Sequence, residues 1–184
     1  MADINVNMVP DRSASPESEV KAKASGDAPT WDLIELLFFA YRDFVGDPDG
    51  VLENLGFGRA HHRVLHFVNR NPGMKVAELL DILKITKQSL GRVLKQLIDE
   101  GYVSQREGAS DRRQRLLYVT AKGEQLAMTL AGLQTVRIAR ALAELGPHAH
   151  DEARAFLLAM IDADDRDRVL RLIDRGERAR RVRV

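Results

Sequence analysis

Apolar residues recur along most of this chain with the 3.6-residue period of a helix, so the sequence predicts a mainly α fold. From Thr30, which suits an N-cap, Trp31-Asp32-Leu33-Ile34-Glu35-Leu36-Leu37-Phe38-Phe39 opens a strongly apolar first helix expected to end near Val45. Its apolar surface exceeds what one flanking core needs, which predicts a partner on a second side. Gly46-Asp47-Pro48-Asp49-Gly50 is built from turn-forming residues and reads as a turn. A second helix is expected from about Arg59 to Asn69, stopped by Asn71-Pro72-Gly73.

The next segments are the most informative. Lys75 to Leu83 carries Val76, Leu79, Leu80 and Leu83 at helical spacing, and the short turn Lys84-Ile85 leads to Thr86, another N-cap residue. Leu90, Val93, Leu94, Leu97 and Ile98 then follow the i, i+3, i+4, i+7, i+8 pattern without a miss. The opposite face holds Lys87, Gln88, Gly91, Arg92, Lys95 and Gln96, and Gly101 suits a left-handed cap. Two short strands, Val103 to Arg106 and Leu116 to Val119, flank a polar loop and predict a β-hairpin wing. A long helix is expected from Thr120 and Lys122 to Leu145, with Leu126, Leu130, Leu133, Ile138 and Leu142 as its stripe. Gly146-Pro147 breaks it. Ala153, Phe156, Leu157, Met160 and Ile161 mark a further helix, and Asp164 caps a last short one holding Val169, Leu170, Leu172 and Ile173. Residues 1–29, rich in Ser, Pro, Ala, Asp and Glu, read as a disordered tail, and residues 175–184 as a frayed basic one.

Composition narrows the class. With 184 residues, 45% hydrophobic and 30% charged, the chain supports one core, expected over residues 30–174. It contains no cysteine, which excludes disulfides and thiolate metal or redox sites and fits a reducing compartment. No secretory signal pattern or 18-residue apolar run is visible, so the expected location is the cytoplasm, with no membrane partner. The overall charge of +1 is uninformative, but its distribution is not. From Lys84 to Lys122, nine basic residues face four acidic ones, a footprint suited to a polyanion.

The segment Thr86 to Asp99 divides as a helix entering a DNA major groove must. One face is apolar, to lock onto a scaffold, and the other carries donors and cations. Lys87, Gln88 and Ser89 occupy the first turn, where such a helix meets base edges, and Arg92 and Lys95 lie one and two turns on, within reach of phosphates. Gly91 gives up helix stability, about 1 kcal/mol against Ala, and allows close backbone approach. In the wing loop, an arginine can enter a narrow minor groove, and Asp111 is placed to brace Arg113 two residues on.

These pieces resemble the MarR family of bacterial transcription regulators. The resemblance runs through Arg63-Val64-Leu65, Asn71-Pro72-Gly73, Ala77-Glu78-Leu79, and Ile85-Thr86-Lys87-Gln88-Ser89-Leu90-Gly91-Arg92-Val93. It continues with Leu97-Ile98-Asp99-Glu100-Gly101-Tyr102-Val103 and the wing from Asp111-Arg112-Arg113 to Val119-Thr120-Ala121-Lys122-Gly123. It implies a winged helix-turn-helix over about 59–123, with dimerisation helices over about 30–45 and 121–174. It also implies a homodimer on a pseudo-palindromic operator of double-stranded DNA and, commonly, a small-molecule effector between the dimer and DNA-binding parts. Carried over by position, the DNA-binding residues are Thr86, Lys87, Gln88, Ser89, Arg92, Lys95, Asp111, Arg112 and Arg113. The family's thiol-based peroxide sensors need a cysteine, and this chain has none.

His61, His62 and His66 offer two alternatives. His62 and His66 stand four apart on one predicted helix and suit a zinc-responsive site, although no third ligand is evident. A ligand pocket formed by His62 or His66 with aromatic residues such as Trp31, Phe38 or Tyr41 is favoured over the metal site, and histidines on a packed helix also serve as hydrogen-bonded core or boundary residues. No enzyme signature is present: there is no G-x-S-x-G elbow, no phosphate-binding glycine loop and no His-Glu-x-x-His. The expectation is a non-enzyme that binds no cofactor, metal or catalytic substrate. A winged helix used for protein contacts is the remaining alternative, disfavoured because interface cores are depleted of lysine.

Overall fold

The computed structural model describes residues 29–108 and 114–183. The wing-tip residues Asp111, Arg112 and Arg113, and the N-terminal tail to residue 28, lie outside them. In chain order the elements are α1 (Trp31–Glu53), α2 (Arg59–Arg70), β1 (Met74–Lys75), α3 (Val76–Leu83), α4 (Lys87–Asp99), β2 (Val103–Glu107), β3 (Arg115–Val119), α5 (Ala121–Leu145), α6 (Ala149–Ala159) and α7 (Ala163–Arg183). The fold is mainly α with a small antiparallel sheet of order β1-β3-β2. The chain divides into two compact units, residues 1–39 and 40–184. Within the first, Trp31, Leu33, Leu36, Phe38 and Phe39 are all exposed on their helix.

The second unit holds the core. Val64, Leu65 and Val68 of α2, Leu79 and Leu83 of α3, and Leu90, Leu94 and Leu97 of α4 are buried together with Met74, Val103, Leu117, Leu126 and Leu130. In α3 and α4 the helical spacing read from the sequence is therefore the spacing of the core face, whereas Leu133 and Ile138 of the α5 stripe and Phe156, Leu157 and Met160 of the α6 stripe are exposed. α2 is the hub and packs on α3, α4, α5, α7 and β3.

Three segments depart from expectation. Gly46-Asp47-Pro48-Asp49-Gly50 is not a turn: α1 continues through it to Glu53, with Val45, Pro48 and Leu52 buried. A proline inside a helix leaves the carbonyl four residues back without its donor. Here that carbonyl, Phe44 O, is met by Gln134 Nε2 at 3.5 Å. The two aspartates that favour a turn are each engaged by an arginine. Arg137 of α5 donates to both carboxylate oxygens of Asp47 at 2.6 and 2.8 Å, and Arg59 donates twice to Asp49 Oδ2 at 3.0 and 2.8 Å. Tertiary contacts thus outweigh local turn preference.

The strand β1 is also absent from the sequence reading. Two residues are too few to show alternation, and β1 exists because Met74 and Lys75 find Leu117 and Leu116 across the sheet. Gly73, at φ +78°, makes the preceding corner, and its N–H donates to Leu117 O at 2.8 Å. Finally, the last helix is long. α7 runs to Arg183 through the segment expected to fray, because Arg175 and Glu177 are held by partners on α3 and α2.

Candidate nucleic-acid interface

The first turn of α4 is built by Thr86. Its Oγ1 accepts the N–H of Ser89 at 3.1 Å and donates to Ser89 Oγ at 2.9 Å. This cap fixes where the helix begins and leaves the amides of Lys87 and Gln88 as outward donors at the positive end of the helix dipole. Lys84 ends α3 in a left-handed conformation, φ +50°, which reverses the chain within the short helix-turn-helix corner. A residue with a Cβ is uncommon there.

Leu90, Leu94 and Leu97 hold α4 on the core, while Thr86, Lys87, Gln88, Ser89, Arg92 and Lys95 are exposed on the other side. These six sequence-predicted residues therefore share one accessible face. Lys95 is engaged already, in an i, i+4 ion pair with Asp99. Gln96 is not part of the face. Its Oε1 accepts from His61 Nε2 at 2.9 Å, and its Nε2 donates to Glu100 Oε1 at 3.0 Å and reaches Gly56 O at 3.4 Å. His61 Nδ1 accepts the Gly58 N–H at 3.1 Å, so the ring's proton sits on Nε2 and the Gln96 contact has a defined direction. The His61 ring stacks on Phe57 at 4.8 Å, and Phe57 meets Tyr102 edge-on at 5.1 Å. Gln96 and His61 brace α4 against α2, whereas spacing alone placed Gln96 on the groove-facing side with Gln88 and Arg92.

The wing stem is similarly braced. Glu107 and Arg115 face each other across β2 and β3 and pair at 3.1 Å, and the Arg106 guanidinium lies 4.6 Å over the Tyr118 ring. Gly108 N–H donates to Gln114 O at 3.1 Å and closes the stem at the base of the tip. Below the wing, Thr120 caps α5, accepting from Gly123 N–H at 3.1 Å and donating to Gly101 O at 2.7 Å. Lys122 adds a bond to Glu100 O at 2.9 Å and lies 4.0 Å over Tyr102. The end of α4, the wing and the start of α5 thus form one braced corner.

A second feature lies on α2. Arg59, His62, Arg63, His66 and Phe67 line a crevice of about 360 Å³ with Tyr41, Phe44, Val45 and Gln134. The sequence reading included His62, His66 and Tyr41 and missed Arg59, Arg63 and Gln134. Positions 59, 62, 63 and 66 follow helical spacing, so that basic stripe was legible. The His66 imidazole opens onto the crevice with its outer side exposed to water, and partial desolvation by the surrounding protein, with His62 and Arg70 nearby, lowers its pKa to about 4. Desolvation lowers His62 as well, partly offset by Asp49. Arg59 is already paired with Asp49, so the Arg63 guanidinium beside neutral imidazoles and an apolar wall is what suits this cavity to an anion with an apolar body. Among the described residues no three His, Asp or Glu converge as a metal-ligand set, and no helix is long and apolar enough to cross a membrane.

Comparison with known proteins agrees with this architecture. The MarR family model matches residues 55–114. The HTH-type transcriptional regulator PetP of Rhodobacter capsulatus is 49% identical over 129 residues, spanning 70% of this chain and 78% of that protein. A MarR transcriptional regulator from Methanosarcina mazei superposes with a TM-score of 0.60 at 23% identity, over 76% of this chain and 94% of that one. A Mycobacterium tuberculosis MarR family protein, solved in complex with salicylic acid, superposes with a TM-score of 0.52 at 26% identity, over 74% and 99% of the two chains.

Proposed function

This chain is a MarR-family transcription regulator, and on that premise we propose that it binds a pseudo-palindromic operator as a homodimer and answers to a small ligand. The observation that carries the DNA reading is the two-faced α4: Leu90, Leu94 and Leu97 are buried while Lys87, Gln88, Ser89 and Arg92 stand exposed around a capped N-terminus. Gln88 is suited to adenine through two hydrogen bonds, Lys87 to guanine, and Ser89 to several bases. Arg92 and Lys95 are assigned to phosphates, and the helix N-terminus to another. Arg113 is assigned to the minor groove with Asp111 as its brace and Arg112 beside it. That assignment comes from the sequence alone.

Exposed apolar side chains support the dimer. Trp31 (64% exposed), Leu36 and Phe38 in the first unit are exposed on their helix, and Val136 (70%), Leu145, Phe156 and Leu157 are exposed in the second. A second copy meeting them across a two-fold axis would bury them and set two copies of α4 about one helical turn of DNA apart. The α2 crevice is the ligand site in this reading. A compact aromatic or alicyclic acid suits Arg63 and the apolar wall, and the related protein solved with salicylic acid supports that class. The test is to select bound fragments from the source genome and footprint the enriched site. An inverted repeat with half-site centres about 10 bp apart supports the reading. An asymmetric site, or no enrichment, contradicts it.

A further inference from the structure

The charge of α7 is polarised. Asp162, Asp164, Asp165 and Asp167 precede or open the helix, and from Arg175 to Arg183 five arginines are opposed by Glu177 alone. Acid at the start and base at the end complement the helix dipole, but that effect fades within the last turn. The arginine run begins earlier, at Arg175, and the place where α7 docks gives it a second meaning.

Three ion pairs fasten α7 to the DNA-binding head. Arg168 pairs with Asp81, Arg175 Nη1 donates to Glu78 Oε1 at 3.0 Å, and Arg70 Nη2 donates to Glu177 Oε1 at 2.6 Å. Gly176 fits beneath the Arg70 guanidinium, where a Cβ would stand 2.9 Å from Nε and Nη2, and Leu172 packs on the core. α7 packs on α2, and its Arg168 and Arg175 side chains reach Asp81 and Glu78 of α3, later positions of one helix meeting earlier positions of the other. In helix-turn-helix proteins the first helix of the motif, here α3, crosses the phosphate backbone.

Docking therefore changes the electrostatics of that edge in two ways. Of the α3 carboxylates that would repel DNA, Glu78 is matched by Arg175, and Asp81, already paired with Lys84, gains Arg168 as a second cation. Beyond them α7 continues past the start of α3 with Arg178, Arg180 and Arg181 exposed, and none of the three forms an ion pair among the described residues. Glu177 is already held by Arg70, the main reason its carboxyl pKa is lowered, with Arg180 and Arg181 adding to that field. Guanidinium groups match phosphate oxygens in a planar, two-pronged geometry. We propose that the end of α7 is a further DNA-contacting element, a strap that sets Arg178, Arg180 and Arg181 on phosphates flanking each half-site. This rests on the DNA-binding reading above.

The test titrates the full chain, an Arg178→Gln/Arg180→Gln/Arg181→Gln variant and the matching triple Lys variant on operator and random duplexes at several salt concentrations. The Gln variant should flatten the log K against log salt slope by about 1–3 per protomer, at about 0.9 per lost phosphate contact, equally on both duplexes. The Lys variant should keep the slope. A Gln variant with an unchanged slope overturns the strap alone, including when its Tm falls, since that result marks the arginines as dipole or packing groups. A gain in affinity also overturns it. If the triple Gln variant does not fold, single Arg180→Gln should still flatten the slope by about 1. An unaltered chain without salt-dependent DNA binding overturns the DNA reading and the strap with it.

Discussion

Gly123 lies so close to Tyr102 that a Cβ at position 123 would sit 2.0 Å from the Tyr102 carbonyl oxygen. That contact joins the first turn of α5 to the corner between α4 and the wing, and Thr120 reinforces it from the same turn through Gly101 O. In an open helix, Gly→Ala stabilises by up to about 1 kcal/mol. At Gly123 the backbone clash dominates, because overpacking a rigid site costs about 1–3 kcal/mol or more. Gly123→Ala should therefore lower stability in denaturant titration. Gly132→Ala, on the same helix with nothing near its Cβ, should leave stability equal or raised. A stabilised Gly123→Ala would show that α5 does not press on this corner.

Gly91 has open space around its Cβ and faces out from α4 beside Gln88 and Arg92. Gly91→Ala should raise folding stability by up to about 1 kcal/mol and yet weaken DNA binding, since the added methyl group meets the duplex. Opposite signs for the two measurements identify close backbone approach. Equal binding would place this helix face away from the groove.

Base reading and charge attraction should separate by mutation. Gln88→Ala should cost about 1–3 kcal/mol on the operator, relax preference at one symmetric base position, and change random binding little. Lys95→Ala should weaken operator and random DNA alike. Because it strands the carboxylate of Asp99, the Lys95→Ala/Asp99→Asn double variant should bind better than Lys95→Ala. Arg113→Ala should hit hardest on A/T-rich flanks, where the minor groove is narrow. Equal loss on every sequence for Gln88→Ala would mean that α4 docks in another register.

The crevice histidines predict a pH dependence. His66, lowered to about 4, and His62, also lowered, stay neutral in the folded chain while ordinary imidazoles protonate near 6.5. Between those values the unfolded chain binds more protons, so stability falls as pH drops from 6.5 towards 4 and is fully present above 6.5. Water reaches the His66 ring, so its share is at most about 1 kcal/mol. His66→Gln should flatten the stability profile in that window, measured as Tm against pH. Salicylate, a probe anion, should bind more tightly at pH 5 than at pH 7 if it raises the pKa of either ring. Indifference to pH would place the anion elsewhere.

Assembly is testable through the exposed apolar residues. Val136→Asp and Phe156→Glu each put a charge where the dimer reading buries an apolar side chain. Both variants should remain folded and move towards a monomer by light scattering, with operator binding lost together with dimerisation. An unaltered chain that is monomeric at micromolar concentration contradicts the homodimer.

What was determined locally could be read locally. The core face of α4, the Thr86 and Thr120 caps, the Gly101 stop and the two wing strands around their polar loop each follow from residues within one or two turns of one another, because caps, periodicity and turn chemistry are short-range. What the sequence alone could not show depends on partners far along the chain. The residues Gly46 to Gly50 have the chemistry of a turn and are helical, since Arg137 and Gln134, some 90 positions away, bind the groups that a turn would have satisfied. Gln96 matches the groove-facing residues in polarity and spacing, but His61 holds it on the inner side. The final arginines look like a frayed tail, until Glu78 and Arg70 bind their helix to the head. Side-chain polarity specifies that a group needs a partner. Only tertiary packing decides whether water, DNA or a distant residue of the same chain supplies it.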